Sequence, residues 1–118
     1  MLFRSYRMPA LSLRSRLVHT HVMAGGPYRG AGRPEAIYLV ERLLDAAAPR
    51  LGLDRVALRR RNLVPASAMP FKTANGLTYD SGEFEAVMDK ALTLSDWQGF
   101  EARRQASAQK GLLRGIGI

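Results

Sequence analysis

The chain has 118 residues, 47% of them hydrophobic and none of them cysteine, and its eighteen Lys and Arg outweigh ten Asp and Glu for a formal net charge of +8. That length suits one domain with a modest core, and the lack of thiols excludes disulfides, thiolate metal sites and iron–sulfur ligation by this chain. The basic balance points to an anionic partner (nucleic acid, a membrane surface or an acidic cofactor) or to a piece of a larger assembly whose acidic surfaces lie elsewhere.

The first 33 residues hold several arginines and no acid. They lack the compact apolar run of a signal peptide, although an arginine-rich, acid-free start is also the composition of a mitochondrial transit peptide. No stretch approaches the roughly 18 apolar residues of a membrane helix. Between residues 10 and 22, Leu11, Leu13 and Leu17 lead into Val18, His19, Thr20, His21 and Val22. This loose alternation with β-branched residues predicts a strand. A glycine-rich loop follows over residues 24–32, and Pro34 suits the first residue of a helix, where its missing N–H costs nothing. Glu35 places a negative charge where the helix dipole favours it.

That helix has an apolar face of Ile37, Val40, Leu44, Ala47, Ala48 and Leu51, with Glu41, Arg42 and Asp45 set apart. Pro49 should kink or end it, with Gly52 as a natural stop. Asp54 then caps a second helix, RVALRRRNL. Residues 64–82 are dense in turn formers and read as a long irregular connection, which inside a domain calls for a function or a partner. Phe84, Val87, Met88, Ala91 and Leu92 form a helical stripe, and Ser95 with Gln98 makes a capping box for a last helix to about residue 109. Residues 112–118 read as the opening of a strand cut short, with nothing to pair against it. The whole is α+β in class: strand, glycine loop, helices over about 34–63, connection, helices over about 83–110, opening strand.

The chemical signals are individually weak. The glycine spacing from Gly25 to Gly30 matches a P-loop, but Ala31 and Gly32 stand where Lys and Ser/Thr must be. A dinucleotide-binding G-x-G-x-x-G starting at Gly30 meets Glu35 where its third glycine belongs. What remains is a backbone that can approach a ligand closely, ending at a helix N-terminus with unpaired N–H groups and flanked by Arg29 and Arg33. That suits an anionic or oxo-rich group; the plainer alternative is a tight turn with two solvated arginines. His19 and His21 share a face of the predicted strand and could both reach a metal, but no third ligand is near. Arg59, Arg60 and Arg61 could touch phosphate or form a solvated helix face, with no interleaved aromatics of the kind single strands stack on. Glu83 and Glu85 at a helix start serve the dipole more simply than they serve catalysis. A stand-alone basic module that binds nucleic acid or an acidic partner is the alternative reading.

Taken in order, GPYRGAGRPEA, ERLLDAAA, LRRRNL and TYDSGEF resemble the molybdenum-binding large subunit of the xanthine dehydrogenase, aldehyde oxidase and aerobic carbon monoxide dehydrogenase family. The resemblance runs from about Tyr6 to Ile118. It implies a partial molybdenum-cofactor-binding domain over residues 1–118, an inactive fragment of a cytoplasmic oxidoreductase. Its cofactor would be molybdenum–molybdopterin in the cytosine dinucleotide form, and its partners the remainder of the large subunit with iron–sulfur and FAD subunits. It implies no nucleic acid and no membrane span. Tyr28, Arg29, Gly30, Ala31 and Gly32 match the loop that lies beside the metal and its dithiolene. No catalytic residue and no direct metal ligand is expected in this chain, because the family's catalytic glutamate and most pterin contacts lie far downstream.

Local departures refine that picture. Copper-bearing carbon monoxide dehydrogenases have their copper-holding cysteine where this chain has Gly30, and xanthine-oxidising members have a phenylalanine where it has Ala31. Copper-dependent chemistry and a purine sandwich are therefore not expected. Thr20 and His21 replace the usual Thr-Asn before the loop, Ala24 replaces a common proline, and Asp54, Arg55 and Ala57 lack the usual Asp-Pro and capping glutamate. The resemblance also makes Gly30 the position where a side chain would intrude on the metal's ligands.

Overall fold

The computed structural model describes residues 5–12, 14–23 and 25–118. Its first regular element is α1, Arg33–Arg50, which leaves a left-handed N-cap at Gly32 (φ 84°) and carries Pro34 in its first turn. Pro49 lies in the last turn, and the chain is turned out by Gly52 at φ 64°. The Gly52 N–H donates to Pro49 O at 3.1 Å and the Leu53 N–H to Ala48 O at 2.9 Å. These two bonds are a Schellman stop, which satisfies the carbonyls that Pro49 and the helix end leave over. Asp54 then caps α2, Arg55–Asn62, with Oδ1 accepting from the Val56 and Ala57 N–H groups at 2.9 and 3.0 Å. One carboxylate does the work even without a capping glutamate.

α1 and α2 pack together over a small core: Ala36, Val40, Ala48, Leu58 and Val64 are its buried apolar residues. The centre of this pair is ionic. Arg59, only 3% exposed, donates from Nε to Glu41 Oε2 at 2.9 Å and from Nη2 to Asp45 Oδ1 at 3.0 Å. Its remaining hydrogens reach the Arg55 and Glu41 carbonyls, both at 3.3 Å. Burial alone would push this guanidinium down, and its hydrogen bonds to Glu41 and Asp45 outweigh that and hold it above its ordinary value. A strap from the start of the chain completes the unit. Tyr6 pairs with Leu63 in an antiparallel bridge, and the Tyr6 hydroxyl donates to Glu41 Oε1 at 3.0 Å. Burial, then the Glu41 charge, push the Tyr6 phenol up to about 12.

The connection over 64–82 is not irregular throughout. It holds a 3-10 turn, Ala66–Ala68, and a short antiparallel hairpin of β1, Phe71–Lys72, and β2, Thr78–Tyr79, with Phe71 opposite Tyr79. Asn75-Gly76 turns it, with Gly76 at φ 84° donating to Thr73 O at 3.0 Å. That dipeptide is a strong hairpin signal. The Tyr79 ring meets Phe84 edge-on at 6.0 Å and so ties the hairpin to α3, Phe84–Leu94. Arg60 tethers α3 to α2 through Glu85 at 2.7 Å and through Asp89.

Three other expectations are corrected. No strand is present at residues 10–22 among the described residues, where Leu17, Val18, Val22 and Met23 are exposed on a segment without regular structure. Leu13 and Ala24 lie outside the described residues. Residues 112–118 likewise form no strand, since a strand exists only through a ladder partner and none runs beside them among the described residues. The Ser95–Gln98 capping box does not form either. Ser95 is the C-cap of α3 and its hydroxyl donates to Leu92 O at 3.1 Å, while α4 begins later, as Phe100–Ala108. Asp96 bridges the gap by accepting from the Gly99 N–H at 3.2 Å and pairing with Arg103.

The radius of gyration is 18.0 Å, against about 13–14 Å for a compact domain of this length. Leu39, Leu43, Val87, Leu94 and Leu113 are all more than half exposed. The 118-residue chain expressed alone is therefore expected to associate or to melt without a cooperative transition; a monomer with a sharp two-state melt would contradict this. In the full-length protein, Arg59→Ala should cost about 2–3 kcal/mol, below the roughly 3–5 of a fully buried pair, because Glu41 is 32% and Asp45 17% exposed. Thermal unfolding of the variant checks it.

Candidate functional site

The five loop residues singled out by sequence form one continuous turn at the N-terminus of α1. The Ala31 N–H donates to Tyr28 O at 2.7 Å, and the Arg33 N–H to Gly30 O at 3.1 Å. Between those bonds the backbone is left-handed at three successive residues: Gly30 at φ 88°, Ala31 at 47° and Gly32 at 84°. Glycine accepts this conformation freely, whereas Ala31 adopts it against roughly 1–2 kcal/mol of steric cost. Strain of that kind persists only where its surroundings impose it.

The run has a chemical result. The N–H groups of Gly30, Gly32 and Glu35 find no hydrogen-bond acceptor among the described residues, and Gly32 offers no side chain to cap the helix. These unshared amides lie at the positive end of an 18-residue helix. The Arg29 guanidinium lies over the Tyr28 ring, 5.9 Å from its centroid, which orients a fork of donors beside the loop. Tyr28 is 78% exposed, so the whole surface is open to a ligand or to another segment. The arrangement can donate hydrogen bonds to oxygens or sulfurs carrying negative charge. It contains no base and no nucleophile.

The two glycines differ. A methyl group at Gly30 would stand 2.9 Å from Pro34 Cδ and 3.1 Å from Cγ, so the crowding at that position arises within the chain itself. At Gly32 a methyl group would meet nothing within 4 Å.

Other candidates resolve differently. His19 and His21 are both exposed, and no group of three His, Cys, Asp or Glu capable of holding a metal occurs among the described residues. The three consecutive arginines divide into three roles: Arg59 is buried between carboxylates, Arg60 bridges to α3, and Arg61 is exposed. They form neither one solvated face nor a phosphate-binding patch. Sequence reading missed the Arg59 pairing, although Glu41 and Asp45, one turn apart beside the apolar stripe, were its signal. A cleft of about 410 Å³ between α1, α2 and α3 is bordered by Ile37, Val40, Phe84 and Val87, and its polar groups, Tyr6, Glu41 and Arg59, already satisfy one another. No helix among the described residues is long and apolar enough to cross a membrane.

The strain at Ala31 can be measured. In the full-length protein Ala31→Gly should be tolerated, whereas Ala31→Val should destabilise by about 2 kcal/mol relative to it, because a β-branched side chain fits a left-handed backbone worst. The difference between their thermal midpoints is the readout.

Comparison with known proteins follows the same region. Residues 1–63 match the molybdopterin cofactor-binding domain family. The carbon monoxide dehydrogenase large chain of Hydrogenophaga pseudoflava is 34% identical over 97% of this chain, which corresponds to 15% of that protein. The xanthine dehydrogenase molybdenum-binding subunit of Escherichia coli O157:H7 is 33% identical over 96% of the chain, again 15% of its length. The crystal structure of a Cu,Mo-CO dehydrogenase in its carbon monoxide reduced state superposes with a TM-score of 0.56 at 31% identity, covering 64% of this chain and 9% of that one. The chain thus spans about one seventh of the length of these relatives. With the matched segment running through the glycine loop, α1 and α2, the chain belongs to the molybdopterin cofactor-binding domain family of molybdenum-dependent oxidoreductases.

Proposed function

We propose that this chain supplies the loop of Tyr28, Arg29, Gly30, Ala31 and Gly32 to a molybdenum–molybdopterin centre, in its cytosine dinucleotide form, within the large subunit of a cytoplasmic molybdenum hydroxylase. The observation that carries this reading is the left-handed run from Gly30 to Gly32, which leaves main-chain N–H groups unshared at the head of α1. That donor set fits the oxygen and sulfur ligands of such a centre. The group, when bound, supplies the redox chemistry that inserts a water-derived oxygen at an electrophilic carbon.

The residues of this chain bind and orient. The amides of Gly32 and Glu35 donate toward the anionic ligands, and Arg29 and Arg33 balance their charge. The resemblance would place the proton-abstracting carboxylate elsewhere in the polypeptide and the electron acceptors in iron–sulfur and FAD subunits. Gly30 offers copper no thiolate at the position that the resemblance matches to the copper-holding cysteine, which speaks against copper-dependent CO oxidation. Ala31 places no aromatic wall beside the substrate, which favours an open pocket over a purine sandwich.

Gly32→Ala in the full-length protein, purified with its partner subunits, tests the reading. The chain itself leaves that methyl group unobstructed, so its intrinsic cost is the backbone strain of about 1–2 kcal/mol. Molybdenum content or turnover should nevertheless fall about tenfold or more, since the site tolerates only about half an ångström of displacement. Unchanged metal content by elemental analysis together with unchanged turnover would overturn it.

A further inference from the structure

The three left-handed residues need something to hold them, and the hydrogen bonds account for only part of it. The bonds from Ala31 N–H to Tyr28 O and from Arg33 N–H to Gly30 O close the turn at its two ends. Neither restrains the face of Gly30 that a side chain would occupy. That space is taken by the pyrrolidine ring of Pro34, whose Cδ and Cγ lie 2.9 and 3.1 Å from where a Gly30 methyl group would be. Pro34 is itself rigid in φ and is anchored in the first turn of α1, beside the buried Ala36. A fixed ring against a glycine leaves the loop one place to sit.

We infer that Pro34 is a positioning residue for the cofactor-facing loop: its ring fills the side-chain space of Gly30 and locks residues 30–32 in the left-handed run that leaves the Gly30 and Gly32 N–H groups unshared. The inference rests on the function proposed above. Starting a helix does not by itself require proline, because any residue can occupy its first turn; the ring is needed for the contact with Gly30. Ala31 supports this reading. A strained residue flanked by two glycines would relax if the turn were loosely held.

The contact predicts reciprocity, which a helix-starting role does not. In the complete holoenzyme, Pro34→Ala should lower kcat and molybdenum content about three- to tenfold with KM little changed, and should speed hydrogen exchange at the loop amides. Gly30→Ala should be more severe. The double variant Gly30→Ala/Pro34→Ala should recover about tenfold over Gly30→Ala alone, since the ring that meets the new methyl group is gone. Additive losses in metal content, turnover and thermal midpoint would overturn the inference. Coupling in thermal midpoint and exchange, with molybdenum content and turnover unaltered in every variant, would support the Pro34–Gly30 lock and refute instead the placement of the loop at the cofactor.

Discussion

One buried cation organises this chain. Arg59 reaches from α2 across to Glu41 and Asp45 of α1, and Glu41 in turn accepts the Tyr6 hydroxyl. Two helices and the strap at residues 5–7 meet at that single cluster, while the apolar core around it contains only five buried residues among those described. Such a cluster gives direction more than stability. Desolvating the ions offsets much of their attraction, yet a guanidinium fork accepts carboxylates only in certain orientations. The helices are thereby fixed in register even though little hydrophobic surface holds them.

Register at one end of α1 becomes geometry at the other. The C-terminal half of the helix is secured by Asp45, by Ala48 and by the Schellman stop at Gly52. Its N-terminal turn carries Pro34, against which the glycine loop is folded. The turn through Gly30, Ala31 and Gly32 has almost no side chain with which to anchor itself, so its precision must be borrowed from a rigid neighbour. The helix is that neighbour.

The helices were legible in the sequence because their signals are local. The Pro34 start, the Asp54 cap and the Gly52 stop each act within a few residues. The glycine loop was legible for the same reason, although its strained Ala31 was not, since nothing in composition marks an alanine as left-handed. The predicted strand at 10–22 failed where period-two patterning always can: it describes a half-buried segment without saying what it pairs with. The Ser95 box failed because two competing stops, Ser95 and Asp96, stand side by side and the chain used the first to end one helix. Arg59 was hidden as one of three consecutive arginines, and only the geometry of α1 against α2 tells them apart.

The small hairpin has a chemical consequence of its own. Asn75-Gly76 is the sequence most prone to spontaneous deamidation, in which the glycine nitrogen gives up its proton and closes onto the asparagine side chain to form a succinimide. Here that proton is engaged, donated to Thr73 O at 3.0 Å, and Gly76 is held at φ 84° by the turn. The bond that closes the hairpin thus also restrains the cyclisation. Ageing of this protein at Asn75 becomes a measure of how often the hairpin opens, and the damage, once done, adds a negative charge to a turn that begins one residue after Lys72.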